Sequence, residues 1–412
     1  MYIHTYSHHT LPKSTHINHK IMSSINPSME DLPPNIMVDI LTRLPVKTII
    51  LCKRACKNWH NLILSSYFAN IQLSRSPPSL MIYHESEEHM TSYHRAGILK
   101  LVKMEDESDY HRLHHDPVMS LDLNHAPALR NSQLLPVGSI NGFICLWQFG
   151  TNFDNTYICN PITREYMILP RQQYYREGYS IIAYGFGVGL QTKEYKVVRT
   201  FQGDIPSDPT SRSRPRFLQS EVYTLGTGRW RSLGHCPYWR NGYGGPYLNG
   251  HPHWTIIDQD FPEKICAFNF DNETFNLFPS PPIETIEGSQ MHFRSLGVLK
   301  GCLSQSYTFD SQFTIWVMKE YGIKNSWHRE VVIKQSISPD LDWVMWEPMY
   351  LIEGLKDGTF LMVYWEDQLM VYCPETKTME DTKIFDRYIW GMAYRPSFFR
   401  LAEFESERAL MF

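Results

Sequence analysis

Three glycines in "YGFGVGL", Gly185, Gly187 and Gly189, have a spacing that could do chemistry. A phosphate-cradling loop needs G-x-G-x-x-G opening a helix after a strand. Position 190 is Leu and another strand-like run follows, so these glycines are expected at a β-turn or strand crossing. "HRLHH" offers His111, His114 and His115. His111 and His115 have the spacing at which two imidazoles share a metal on a helix. No Glu lies between them and their surroundings are polar, so a solvated loop is expected and no metal. The carboxylate pairs Asp106-Glu107 and Glu366-Asp367 sit in turn-like contexts, with no apolar setting to raise a pKa. Sequence leaves a glycosidase pair open, because such pairs are assembled in space. There is no G-x-S-x-G nucleophile elbow. Trp147, Trp254, Trp316 and Trp365 resemble a sugar-binding set, but their place inside strand-like runs predicts core packing. The expectation is a non-enzyme with no cofactor.

The elements that would carry such residues fall into two kinds. The chain has 412 residues and a formal charge of -4, which offers no general attraction to nucleic acid or an anionic membrane. No apolar run reaches the ~18–20 residues of a membrane-spanning helix. The start lacks a secretory signal pattern. The eight cysteines, Cys52, Cys56, Cys145, Cys159, Cys236, Cys266, Cys302 and Cys373, form no C-x-x-C and read as small apolar residues in a reducing cytosol or nucleus. Asn272-Glu273-Thr274 is a sequon without a secretory route. Residues 1–28 are polar and His-rich and read as a disordered tail, and Met1, Met22 and Met29 are all candidate starts.

Residues 29–75 read as three short helices. Pro34 suits a first turn, Ile36, Ile40, Leu41 and Leu44 form one apolar stripe, and Pro45 stops the helix. A second helical stretch runs over 46–54, and a third over 57–65 with Trp59, Leu62 and Ile63 on one side. So small a module buries little surface and leans on a partner. After "SRSPP" the runs "FICLWQF", "YKVVRTF", "ICAFNF", "FTIWVM" and "LMVYW" predict an all-β body over 79–400, with 401–412 as a tail. One unit recurs: a Gly turn, two strands, Asn/Asp-x-x-Thr, then an apolar-Pro close. The turn glycines are Gly142, Gly250, Gly301 and Gly358. A period of roughly 40–50 residues is the signature of propeller blades. Five units are visible, and residues 79–123 with the late "YIWGMAYRPSF" are expected to close a sixth.

Leu32-Pro33, Ile36, Ile40, Arg43-Leu44-Pro45-Val46-Lys47, Lys57-x-Trp59, Leu62-Ile63 and Phe68 resemble the F-box of plant F-box proteins. "GSINGFICLW", "CNPITREYMILP", "YGFGVGLQTKEYKVVR", "EVYTLGTGRWRSLG" and "LNGHPHW" resemble the F-box-associated, kelch-like domain that follows it in that family. The expected fold is therefore multidomain α plus all-β, a three-helix F-box ahead of a β-propeller of about six blades. The resemblance implies a substrate-recognition subunit of an SCF-type E3 ubiquitin ligase. It would hold a Skp1-like adaptor, through it a cullin–RING core, and an unidentified target protein. Carried over by position, the adaptor contacts are Leu32, Pro33, Ile36, Ile40, Leu44, Pro45 and Val46, and the module core is Leu41, Trp59, Leu62 and Ile63.

Leu51–Cys56 departs from the family's usual Arg-Phe-Lys-Cys-Val-Ser. Cys52 and Ala55 are expected to shrink the packed volume, with Leu51 refilling part of it. Two other readings remain, a scaffold outside any ligase and a glycan-binding propeller. Target contacts are sought in three loops: Arg212, Arg214 and Arg216 for an acidic or phosphorylated segment, then Tyr238, Trp239 and Tyr243, then Trp343 and Trp346.

Overall fold

The stretch Leu32–Ile50 forms two helices that meet at Pro45. It belongs to a computed structural model that describes residues 32–85, 97–102, 115–130, 132–148, 155–171, 180–204, 216–238, 240–241, 244–256, 264–282, 291–309, 312–334, 349–354, 358–364, 368–385, 389–404 and 408–412. Helix α1 spans Pro34–Leu41, with Pro34 in the first turn, where a missing N–H leaves nothing unpaired. Helix α2 spans Val46–Cys52 and α3 spans Lys57–Ile63. A fourth helix, α4 (Ser66–Arg75), follows, so the region has four helices where three were expected. Its buried residues are Phe68, Ala69 and Gln72, too broken an apolar stripe to announce a helix. Ser65 caps it, with Phe68 N–H donating to Ser65 Oγ at 3.2 Å.

From Ser79 the described chain is almost wholly β, in six antiparallel sheets. Blade 1 combines Ser79–Glu85, Gly97–Val102 and His115–Asp122 with the late strand Ile389–Tyr394. Blade 2 is Leu134–Ile140, Phe143–Gln148, Thr156–Asn160 and Glu165–Ile168, with Leu410–Met411 added at the outer edge. Blade 3 runs from Ser180–Val188 through Tyr195–Asp204 and Arg216–Thr224 to Trp230–His235. In blade 4 the inner strand is split into Arg240–Asn241 and Tyr247–Leu248, both paired with His251–Ile256, ahead of Lys264–Asn269 and Thr274–Pro279. Blade 5 is Met291–Leu299, Cys302–Phe309, Gln312–Met318 and Trp327–Lys334, and blade 6 is Met349–Gly354, Phe360–Tyr364, Gln368–Cys373 and Thr378–Asp381.

Consecutive blades touch around the ring through their inner strands, except that blade 4 meets blade 5 through His251–Ile256, and blade 6 meets Ile389–Tyr394, so the ring closes. The expected sixth blade, made from both ends of the body, is what the structure shows.

The expected turn glycines join the first two strands of blades 2, 4, 5 and 6, all at positive φ. Asn141-Gly142 (φ 51° and 84°) is a hairpin turn of the kind that matches strand twist. In each four-stranded blade the 1–2 and 3–4 turns share one end of the ring. The other connections share the opposite end. The chain leaves α4 and enters blade 1 at the turn end, so the helices sit there.

Gly185 and Gly187 lie inside the inner strand of blade 3, with Gly189 just past it, and no helix follows. A Cβ at Gly187 would run into the rings of Tyr247 and Phe270 in blade 4, so these glycines permit close blade-to-blade approach. Trp147, Trp254 and Trp316 are buried, as expected. Trp254 Nε1 donates to Tyr184 O at 3.0 Å across the same junction. A second device repeats. Trp230 Nε1 donates to Pro170 O (2.8 Å) and Trp327 Nε1 to Pro279 O (2.9 Å). The apolar-Pro close of one unit thus offers its carbonyl to a tryptophan of the next blade.

At the junction of blades 4 and 5, His253 is fully buried, 3.2 Å from Pro246 O through Nδ1 and 2.7 Å from Tyr321 Oη through Nε2. Burial pushes its pKa from 6.5 down to about 3.

The tail 1–28, His111, His114, both carboxylate pairs and Trp365 lie outside the described residues, as does the side chain of His115. The eight cysteines are all free, buried or half-buried.

Two outcomes follow. Gly187→Ala lowers the stability of the ring by about 1–3 kcal/mol through overpacking, read as a shift in the urea midpoint. His253 stays neutral in the fold while the unfolded chain takes up its proton below about pH 6.5. Its contribution is therefore complete above pH 6.5 and is lost as pH falls towards 3, on the order of 5 kcal/mol in all. Urea midpoints from pH 7.5 to 4 fall less steeply in His253→Gln than in the parent.

Candidate functional site

On α1 the apolar residues divide into two ridges. Met37, Val38 and Leu41 face inward and are 5%, 1% and 1% exposed. Ile36 is 45% exposed, Ile40 and Leu44 are half-buried, and Pro33, Pro34 and Pro45 lie on the surface. Leu32 and Val46 are half-buried and pack against the core cluster. The spacing of Ile36 and Ile40 keeps these two on one face of α1, while Leu44, past the helix end, packs against the core cluster. The seven residues proposed for adaptor contact thus lie on the exposed or half-exposed side of the module.

Of the expected core, Leu41 and Ile63 are buried, whereas Trp59 and Leu62 are only half-buried. Trp59 Nε1 is enclosed yet has no hydrogen-bond partner among the described residues. The centre of the module is instead Met37, Val38, Leu41, Ile49, Ile63 and Phe68, and this cluster is continuous with blades 1 and 2. Sequence reading missed Met37, Val38 and Ile49 because both sides of α1 and α2 are apolar. It also missed two exposed residues, Leu51 and Tyr67, each 58% exposed. Leu51 stands two residues from buried Ile49, hence on the opposite side of α2.

The departures in 51–56 take on a different meaning. Ala55 is exposed, so no packed volume is lost there, and Leu51 points outward, so it refills nothing at Cys52. Cys56 instead caps α3, its Sγ accepting from Trp59 N–H at 3.5 Å.

The helices are stapled at one corner. Arg75, at the end of α4, donates through Nη2 to Asp39 Oδ1 (2.6 Å) and through Nη1 to Thr42 Oγ1 (2.6 Å) and Asp39 O (3.1 Å). Arg43 also donates to the Asp39 carboxylate, at 3.1 and 3.2 Å. Hydrogen bonds from Arg43 and then Arg75 hold the Asp39 carboxyl below its usual pKa. A cation at the end of α1 also complements the partial negative charge of its last carbonyls.

The strands that bound the three loops proposed for target contact end at the other end of the ring. The strand ends that flank these loops, Asp204 and Arg216, His235 and Arg240, Lys334 and Met349, all lie opposite the helices. Arg212, Arg214, Trp239, Tyr243, Trp343 and Trp346 are outside the described residues, as is the side chain of Arg216. Tyr238 is half-buried, its carbonyl accepts from Cys236 Sγ at 3.4 Å, and burial raises its phenol pKa. Among the described residues no three His, Cys, Asp or Glu side chains come together as metal ligands.

Core and surface in the module separate by substitution. Ile49→Ala, at a fully buried site, lowers stability by about 2–4 kcal/mol, whereas Ile36→Ala costs less than about 1 kcal/mol, both by urea unfolding.

Comparison with known proteins agrees with this geometry. The F-box domain matches residues 29–70, and the F-box associated beta propeller domain matches 104–399. "F-box protein At3g07870" of Arabidopsis thaliana is 28% identical over 86% of this chain and 87% of its own. "F-box protein CPR1" of the same plant is 28% identical over 74% of each chain. "SKP1-interacting partner 15", also from Arabidopsis, is 28% identical over 34% of this chain and 37% of its own. The chain belongs to the plant F-box proteins whose β body is the F-box associated beta propeller domain.

Proposed function

We propose that this protein is the substrate receptor of an SCF-type ubiquitin ligase, with the helices on a Skp1-like adaptor and the far end of the ring on the target. The observation that carries the reading is the outward apolar face of the F-box. Pro33, Ile36, Pro45 and Leu51 are exposed on helices whose core is already filled by other residues. Apolar side chains left outside a complete core form a partner surface. A match to a relative named as a SKP1-interacting partner supports the adaptor as that partner.

In this reading the receptor supplies no reacting group. It raises the effective concentration of a target lysine at the charged E2, so the chemistry is accelerated by proximity. The long connections at the far end give that end the variety recognition needs, while the turn end is occupied by the helices.

The reading is tested with the purified full chain and a plant Skp1-like adaptor. Wild type forms a stable complex. Ile36→Asp combined with Leu51→Asp weakens it by about tenfold or more, as expected for interface anchors, with an unchanged melting temperature. Absence of a complex with wild type overturns the reading. So does a complex that transfers no ubiquitin to any co-purified protein when cullin, RING protein, E1 and E2 are added.

A further inference from the structure

Residues 395–404 follow the ring-closing strand, irregular over 395–400 and then a single 3-10 turn at Leu401–Glu403, and cross the turn end of blade 2. A surface connection of this kind is ordinarily solvated. This one is tied down at nearly every step. Ser397 is fully buried and its Oγ donates to Asn141 O at 2.5 Å. Asn160 Nδ2 donates to Ser397 O (3.1 Å) and Phe399 O (2.8 Å). The carboxylate of Glu165, 4% exposed, accepts from Arg400 Nε at 2.9 Å and from Leu401 N–H at 2.6 Å. Phe404 then reaches the rings of Phe143 and Tyr195.

The F-box rests on the same segment. Phe68, the fully buried residue of α4, meets Phe398 edge-to-face at 5.7 Å between ring centres. Only Ser76, Pro77 and Pro78 separate α4 from blade 1. Ser76 is buried, and two prolines stiffen what would otherwise be the joint. Lys53, just past the end of α2, also lies within electrostatic reach of both Arg400 and Glu165. The helices are bonded to one another by Arg75.

We propose that residues 395–404 act as a strap that sets the angle between the F-box and the ring, with Phe398 and the Glu165–Arg400 pair as its positioning residues. The inference rests on the receptor reading above and deepens it. A strap between adaptor surface and ring fixes which target lysines reach the E2. A pivoting joint would spread the same encounters over a larger volume and lower the effective concentration at each.

The test uses the full chain bound to a Skp1-like adaptor, with genetically encoded spin labels at the exposed positions Asn61 in α3 and Asn272 in blade 4. Wild type gives one narrow distance distribution. Phe398→Ala and Arg400→Gln each broaden it at least about twofold, as loss of a packed joint predicts, while adaptor affinity is unchanged and Phe398→Leu restores the narrow distribution. In the reconstituted ligase, the receptor's own ubiquitinated lysines are few in wild type and more numerous in Arg400→Gln. A distribution that is already broad in wild type, or stays narrow in both variants, overturns the strap. Since Arg400→Gln leaves the ring core untouched, a folding failure of Phe398→Ala does not shield the idea. Failure of wild type to bind the adaptor overturns the receptor reading instead, and the distance measurement on the free chain still decides the strap.

Discussion

The pairing of Ser79–Glu85 with Ile389–Tyr394 is the contact on which the other arrangements depend. It runs in register from Ser79 opposite Tyr394 to His84 opposite Ile389. Each backbone hydrogen bond in such a ladder contributes only about 0.5–1.5 kcal/mol net. Its effect is topological rather than local. Without it, blade 1 lacks its inner strand, blade 6 faces no neighbour, and a ring becomes an open stack with two unpaired edges. The same pairing brings the two ends of the β body together at the turn end. That is where α4 delivers the chain and where the strap departs.

Closure alone does not make six blades one body; the junctions do. Blade 3 meets blade 4 through missing side chains at Gly185 and Gly187, through Trp254, and through a buried ammonium. Lys196 Nζ donates to Phe270 O at 3.0 Å and to Glu273 Oε1 at 2.9 Å. A buried lysine without such partners would lose its charge or destabilise the fold. Asp271 meanwhile accepts from the N–H groups of Leu190, Gln191 and Thr192, each at 3.0 Å, joining a turn of blade 4 to one of blade 3. The Asn/Asp-x-x-Thr element of the repeat is thus partly a clamp between units. In blade 2 the same position, Asn160, holds the 397–399 segment instead.

How much of this was legible follows from the range over which each interaction acts. The turn at Asn141-Gly142 is a two-residue event, so its residues announce it. The buried tryptophans announce themselves by lying inside apolar runs. The six-unit ring was readable because the period repeats. Features that depend on a distant partner were not readable. Helix α4 exists as a packed element because Phe68 finds Phe398, 330 positions later in the chain. In blade 4, Gly244-Gly245-Pro246 announces a break, but not that strand pairing resumes beyond it, where the backbones of Val137 and His253 crowd both glycines. At the candidate site, the outward ridge of α1 was legible from its spacing. On α2 the period sets Ile49 and Leu51 on opposite sides, but which of the two faces out depends on the ring that encloses Ile49.

The two ends of the ring therefore carry different physical burdens. At the turn end, short turns with fixed backbone angles form a rigid platform, and the F-box core is continuous with blades 1 and 2. The module is too small to hold a large core of its own. By leaning on the ring it keeps Met37, Ile49 and Ile63 enclosed while leaving Ile36 and Leu51 outside. A free-standing helical module of this size would tend to turn its apolar residues inward to complete its core. Because the ring completes that core, the outward ridge is available to another protein. Stability of the fold and availability of the interface thus have one source, the packing of the helices against the closing blade and its strap.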